Sequence, residues 1–525
     1  FYHRNYLSGR VSLDRPPEAL SMIAGEVIGL SGHVEPPADS AYGFTADRAW
    51  LRHEEDTEAR RSKLDRLSTV RPAPLLFWYR QGPAHLVASD LFGGPSFVTP
   101  RDPPWDVAGM AGVWLDPRGE LVRFQVVPPR IDDSPDDADP PDWSPFFEAA
   151  GLDPDMFAPG RPTLTPPFHC DRRQAWDGFY PGQPALPIRV EAGSYRGRAA
   201  WFEVVPPWRE SAALDSDTEA TWNELAFFLP LLVTLLVGGP LLARRNLRRG
   251  RGDRRGATRL ALVIFLAYVA WWGLRADHVP AVGEVWLFFQ FLGYSLVMSG
   301  LSWVVYVALE PYARRLWPDT LISWSRMMAG RLRDPRVGRD ILIGALGGTA
   351  IRLWWMLYSP VVEWFGLVPE EPSVGSLAPL VGVRQALSEY PSLATWAVFA
   401  PIGWLFIILL LTRIVRSRWI AVAAIVLFST ASAALSTQEP WLASLFMTVA
   451  FGGFLLLLAR FGALAGVSFC IFMWVASDVA LPLDPSAWYA GRGFLALGVM
   501  TVLAGYGYWI SRAGRTLLPA DPLND

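Results

Sequence analysis

The pattern of apolar and polar positions divides the chain into two unlike stretches. Residues 1–222 alternate short apolar runs with polar, proline-rich segments, whereas residues 223–512 carry one long apolar run after another with arginine between them. The runs lie near 226–243, 258–274, 285–309, 341–360, 395–411, 419–436, 441–459, 461–479 and 491–510. A helix needs about 20 apolar residues to cross roughly 30 Å of hydrocarbon. Several runs are shorter, a mismatch that tilt, interfacial tryptophan and snorkelling arginine absorb. The pattern therefore predicts a polytopic α-helical membrane bundle over 223–512, with nine candidate transmembrane helices, and a short tail over 513–525.

The first stretch has the mixed periods of an α+β domain. A helical pattern over 17–27 precedes the segment 42–51, and a strand–turn–strand pattern follows at 112–129. The order recurs: a helical pattern at 144–152, the segment 168–176, then a strand–turn–strand pattern at 189–207. Both hairpin patterns turn on an Arg-Gly pair and end in Val-Val-Pro-Pro, where proline stops a strand. Tandem similar units over about 1–130 and 141–210 are expected, the first with an extra strand at 75–80. Between them, 131–142 is acidic and proline-rich. Its carboxylates are the ligand type calcium prefers, but the sixth-position glycine and closing glutamate of an EF-hand are missing, so it reads as a linker.

Arginine sets the expected orientation. The loop Arg244–Arg255 is strongly basic, and the loop after the third run holds Arg314, Arg315, Arg326, Arg331, Arg333, Arg336 and Arg339. Arg413, Arg416, Arg418, Arg460, Arg512 and Arg515 continue the alternation, while the opposite loops hold little beyond Arg275 and Arg384. The positive-inside rule then puts the basic loops and the C-terminus in the cytoplasm and residues 1–222 outside. Within the long basic loop, Trp317, Leu321, Trp324, Met328 and Leu332 recur at helical spacing beside Arg326, Arg331 and Arg333. Stripe and charge suit an amphipathic helix lying in the inner interface, and equally a helix packed on the cytoplasmic ends of the bundle.

Composition narrows the function classes. Hydrophobic residues make up 51% of the chain and charged residues 18%, with mean hydropathy +0.21, which excludes a wholly water-soluble protein and extensive disorder. A net charge of −3 gives no basic footprint for nucleic acid. Cys170 and Cys470 fall in different stretches, so no disulfide scaffold is expected. No HExxH pair, nucleophile elbow or Walker loop occurs, His169 beside Cys170 lacks a second ligand pair, and neither a metal nor a cofactor is expected. The lone lysine is Lys63, in the stretch placed outside. Two ionisable residues stand inside apolar runs, where charge is costly: Arg352 near the middle of the fourth and Asp478 near the outer end of the eighth. A snorkelling or carbonyl-bonded Arg352 beside Trp354 and Trp355 needs no functional role.

The segments 37–44, 77–81, 244–257, 308–340 and 486–491 are similar to the C-terminal extracytoplasmic and membrane region of certain bacterial eukaryotic-like serine/threonine protein kinases. The resemblance implies a sensor and membrane module whose catalytic domain lies upstream of Phe1, joined to it by one more membrane helix. None of the kinase glycine loop, strand lysine, HRD or DFG residues is present, so no catalytic residue carries over and no enzyme activity is expected of these residues. The expected partners are the lipid bilayer, the kinase domain in cis and an extracytoplasmic ligand of unknown chemistry, with homodimerisation left open. The competing reading is a transporter or intramembrane enzyme with a substrate-collecting outer domain. The sparse intramembrane charge favours the module.

Overall fold

The computed structural model describes residues 6–32, 36–52, 64, 67–88, 96–131, 139, 141–212, 229, 232–367, 371–435, 439–478 and 484–512. Most of the acidic 131–142 stretch, the start of the first apolar run and the 513–525 tail fall outside them.

Helix α1 (Pro17–Leu30) starts on proline, whose fixed φ suits a first turn, and buries Leu20, Ala24, Val27 and Ile28 at helical spacing. Strands β1 (Asp39–Ala46), β2 (Leu75–Gly82), β3 (Ala111–Leu115) and β4 (Leu121–Val126) follow. Helix α2 (Ser144–Ala149) precedes β5 (Ala158–Gly160), β6 (Arg172–Tyr180), β7 (Gln183–Tyr195) and β8 (Arg198–Val205). All eight strands form one antiparallel sheet in the order β1-β2-β3-β4-β8-β7-β6-β5. Both expected hairpins form, and their last strands pair at the centre: Arg123 faces Glu203, Phe124 faces Phe202 and Gln125 faces Trp201. The β7–β8 turn places Arg196 at φ 48° and Gly197 at φ 76°, the double left-handed backbone of a two-residue hairpin loop.

Two details differ from the sequence reading. The strand at 75–80 is not an extra, because β6 holds the corresponding place on the other side of the sheet. The segments 42–51 and 168–176 do not correspond: the first enters edge strand β1, the second runs into β6, one strand in from the opposite edge. Segment order alone says nothing of which strand sits at an edge.

One face of the sheet packs on the helices. Phe124 and Phe202 meet Phe146 of α2 at ring-centroid distances of 5.2 and 5.7 Å, and Phe147 meets Phe202 at 5.7 Å. The opposite face carries a smaller apolar cluster of Trp78, Leu86, Val98, Met110, Trp114 and Val127 beside buried polar groups. Arg80 is fully buried there, with its guanidinium 3.9 Å from the Trp105 ring centre, donating to the carbonyls of Thr99 and Pro103. Burial pulls its pKa down to about 10, so the two carbonyls and the ring face stand in for lost water.

The second stretch is helical: α3 (Gly239–Arg248), α4 (Arg254–Arg275), α5 (Val282–Leu316), α6 (Ile322–Met328), α7 (Pro335–Met356), α8 (Val383–Val415), α9 (Arg418–Ala434), α10 (Pro440–Phe461), α11 (Ala463–Asp478) and α12 (Ala490–Ser511). Among the described residues, six helices are long and apolar enough to cross a membrane: α4, α5, α7 with its continuation to Trp364, α8, α10 and α12. The sixth and eighth apolar runs give the shorter helices α9 and α11. At 1.5 Å per residue, the 16 residues of α11 reach about 24 Å, less than a full crossing. Its N-terminal half, 463–470, is buried throughout, so its apolar character serves protein packing rather than lipid contact. Against it lies α7, where Gly344 and Gly348 bring backbone against the Ala465 and Phe469 carbonyls, the close approach a GxxxG spacing allows.

The helices from α4 onward alternate between two ends. At one, Arg259 donates to Met328 O at 2.7 Å and the Tyr506 hydroxyl to Leu332 O at 2.9 Å, among the arginine-rich connections. At the other, the connections 276–281, 371–382 and 484–489 meet the sheet domain.

Candidate functional site

The junction between sheet and helices gathers charged, aromatic and backbone groups from distant parts of the chain. Leu380 and Tyr489, from two helix connections, are buried in the apolar core of the sheet domain itself, with Val374, Leu377 and Trp488 packed beside them. Hydrogen bonds fix the register of this docking. Leu7 N–H donates to Ser373 O at 2.9 Å, and the Trp488 indole donates to Leu13 O at 3.0 Å. Arg492, at the start of α12, donates to Pro379 O.

Asp277 links both sides of the junction. It follows the end of α4, accepts from Val98 N–H at 2.9 Å with one oxygen and from Arg384 of α8 at 3.0 Å with the other. Arg384 also donates to Ala276 O at 2.6 Å. One carboxylate thus ties a sheet-domain loop to two helices. Charge-assisted bonds of this kind contribute more than neutral ones, and Asp277 is only partly exposed. Beside it, a cavity of about 260 Å³ opens between β1–β2 and the bundle, lined by Phe44, Trp78, Phe97, Arg275 and Val381 among others.

Of the residues singled out from sequence, Arg352 belongs to this junction. It sits toward the C-terminal end of α7, within the span that continues to Trp364, and its guanidinium donates to the Tyr6 hydroxyl at 3.0 Å and lies 5.5 Å from the Tyr6 ring centre. Asp478 closes α11; its side chain lies outside what is described. Parallel packing of α7 on α11 brings both residues to the sheet-domain end of the same helix pair.

The segment expected either in the interface or on the ends of the bundle packs against the bundle. Its stripe breaks into a 3-10 turn at Pro318–Leu321 and the seven residues of α6, ending before Leu332. Trp324 is 2% exposed and packs in the bundle core with Leu321, Tyr306 and Leu458, while Trp317 is half-buried against the same cluster. Arg326 pairs with Asp334 at 2.6 Å, Arg331 is exposed, and Arg333 lies 6.0 Å from the Trp509 ring centre. The segment is a plug across the helix ends: Gly462, at φ 92°, sits so close to the Thr320 backbone that no side chain fits. An apolar stripe shows that a helix has a buried face, not whether lipid or protein covers it.

A second cavity, about 760 Å³, lies at the arginine-rich end against Arg251, Asp253, Glu310, Arg314 and Arg315. Its carboxylates are engaged: Glu310 accepts from Arg314 at 2.6 Å and from Asp253 N–H at 3.2 Å. Among the described residues, no group of three His, Cys, Asp or Glu side chains is placed to hold a metal ion.

Sequence reasoning missed Tyr6, Asp277 and Trp488 as junction residues. It did single out Arg275 and Arg384, as exceptions to the sparse charge of the non-basic loops, and both exceptions lie at the junction.

These elements define a class of protein: a membrane protein with an antiparallel sheet domain ahead of a helical region that contains, among the described residues, six helices long and apolar enough to span a bilayer. No protein-family model matches the chain, and neither a curated protein nor a solved structure matches it.

Proposed function

We propose that the chain is the sensor and membrane module of a bacterial serine/threonine-kinase-like signalling protein, with the kinase domain in cis upstream. The observation that carries the reading is the insertion of Leu380 and Tyr489 into the core of the sheet domain. A domain that shares its core with the connections of a helix bundle cannot change its packing without moving them. Signalling between sites requires a contiguous element that both sites bias, and this junction supplies one. The similarity of five segments to kinase membrane regions supplies the identity of the output. On this reading the residues themselves carry no catalysis.

The sheet domain reads as a duplicated unit, a helix followed by a four-stranded meander occurring twice. Aligning Phe124-Gln125-Val126-Val127 on Phe202-Glu203-Val204-Val205 makes Phe124 equivalent to Phe202, and these two residues face each other at the sheet centre. A two-fold axis through that pair carries the Arg123–Glu203 pair onto Trp201–Gln125. For orientation, the domain is placed outside the inner membrane and the arginine-rich end in the cytoplasm, by the positive-inside rule. Cysteine labelling checks this against a quiet background, because Cys470 is buried and burial pushes the Cys170 thiol up to about 11. Ser40→Cys is expected to react with an impermeant maleimide on intact cells and Leu332→Cys only after lysis; the reverse order contradicts the orientation.

The functional reading is tested on the full reading frame in nanodiscs by measuring autophosphorylation with Asp277 intact and with Asp277→Ala. Coupling free energies between sites correspond to about fivefold changes or more. A change of that size is expected; an unaltered rate, or a reading frame without a kinase, contradicts it.

A further inference from the structure

We propose that the 260 Å³ cavity at the junction is a binding site for a small carboxylate with an apolar body, the carboxylate held by Arg275. The inference deepens the sensor reading by naming the ligand class, and rests on that reading only for what binding does next.

The argument begins with charge. Arg275 is the last residue of α4, and its guanidinium stacks 4.2 Å from the centre of the Phe97 ring. Neighbouring Arg384 is satisfied by Asp277 and Ala276 O, and both oxygens of Asp277 are taken, by Arg384 and by Val98 N–H. Glu389 and Asp277 both balance the charge of Arg275 without a hydrogen bond to it, Glu389 accepting from the Ser376 hydroxyl. Among the described residues, none accepts a hydrogen bond from Arg275, although five N–H donors project from its fork. A partly buried guanidinium held by one ring face and facing a cavity is matched by a planar two-oxygen acceptor, because carboxylate geometry lets both donors of one fork edge bond at once.

The remaining walls select the body of the ligand. Phe44 and Trp78 come from the sheet, Leu377 and Val381 from the connection before α8, and Thr45, Ser376 and Gln385 add polar edges. Ligand pockets combine apolar walls with a few placed polar groups in this way. The volume lies just under the roughly 300 Å³ at which pockets for drug-sized molecules begin, which points to an aromatic or branched-chain acid and excludes a nucleotide or an oligosaccharide. Because the walls come from both sides of the junction, an occupant touches the sheet domain and the bundle together. It can therefore bind one relative arrangement of them better than another, as a sensor ligand must.

The full chain in nanodiscs is titrated with phenylacetate and with neutral phenylacetamide, and binding is followed by tryptophan fluorescence and calorimetry. Phenylacetate is expected to bind saturably with a Kd below about 1 mM, and the amide about tenfold or more weakly, the scale of a hydrogen bond to a charged group. Arg275→Gln should remove that preference and Arg275→Lys should keep part of it. Thr45→Trp, which fills the cavity from the opposite wall, should abolish binding of both. Equal binding of acid and amide, a preference that survives Arg275→Gln, or no saturable binding of phenylacetate each overturns the proposal. Because the acid–amide comparison uses the unaltered chain, it stands even if a variant fails to fold. Saturable binding that leaves autophosphorylation of the full reading frame unchanged supports the site and contradicts the sensor reading.

Discussion

Replacing Gly344 and Gly348 together with leucine is expected to prevent the helical region from folding. A side chain at Gly344 would collide with the Ala465 carbonyl and with Phe469 N at 2.8 Å, and one at Gly348 with the Phe469 carbonyl and with Met473 N at 3.0 Å. These obstacles are backbone atoms of α11, which cannot swing aside as a flexible side chain can. Overpacking a well-filled core costs about 1–3 kcal/mol where rotamers can adjust. Here the helices must separate, so each substitution is expected to reach at least the top of that range. Because α11 is held by α7 on one side and by Pro401 of α8 against Gly466 on another, displacing it unseats several neighbours. The check is the melting temperature of detergent-solubilised protein, followed by tryptophan fluorescence. Gly293→Leu with Gly300→Leu on α5 is the matched control, since nothing stands within 4 Å of a side chain at either position. The control should melt like the parent and the α7 variant should yield no cooperative transition. Equal melting of the two would show that α7 and α11 do not pack as described.

The next largest effect is expected from Phe202→Ala. Phe202 is fully buried, faces Phe124 across the central strand pair, and contacts Phe146 and Phe147 of α2, with Trp143 at 6.3 Å between ring centres. Truncating a buried phenylalanine costs about 3–5 kcal/mol, through lost transfer energy and the cavity left behind. A domain whose stability lies between about 5 and 15 kcal/mol gives up a large share of it. Limited proteolysis of the full chain in nanodiscs should cut the variant within 144–205 under conditions that leave the parent intact, while cleavage of the helical region stays unchanged. Phe179→Ala is the control, because that side chain is 53% exposed. A Phe202→Ala chain as resistant as the parent would place the core of the sheet elsewhere.

The legible and illegible parts of this fold follow a physical division. The apolar runs and both hairpins could be read because each is a local pattern: a run long enough for a membrane, or a turn between alternating strands. The union of all eight strands into one sheet could not be read, because pairing Phe124 with Phe202 depends on contacts between residues far apart in sequence. The short helix α11 resembled a span because hydropathy does not distinguish lipid from protein as the apolar surroundings. The stripe from Trp317 to Leu332 left two readings open for the same reason, and Trp324 is covered by the bundle. At the junction, Tyr6, Asp277 and Trp488 are unremarkable in their local sequence. Arg352 carried a signal as a charge inside an apolar run, and Arg275 and Arg384 as basic residues on the side where arginine is scarce.

Relay across the bundle is the central claim, and hydrogen exchange read by mass spectrometry tests it most directly. Asp277→Ala removes the one carboxylate that ties Val98 to Arg384, at the sheet-domain end of the helices. Exchange in 96–100 should rise in either case, since that loop loses its acceptor. If the junction relays, exchange should also change at 317–334, at the other end of helices that reach on the order of 30 Å. Changes confined to 96–100 and 276–281 would contradict relay and leave the sheet domain a passenger on the bundle.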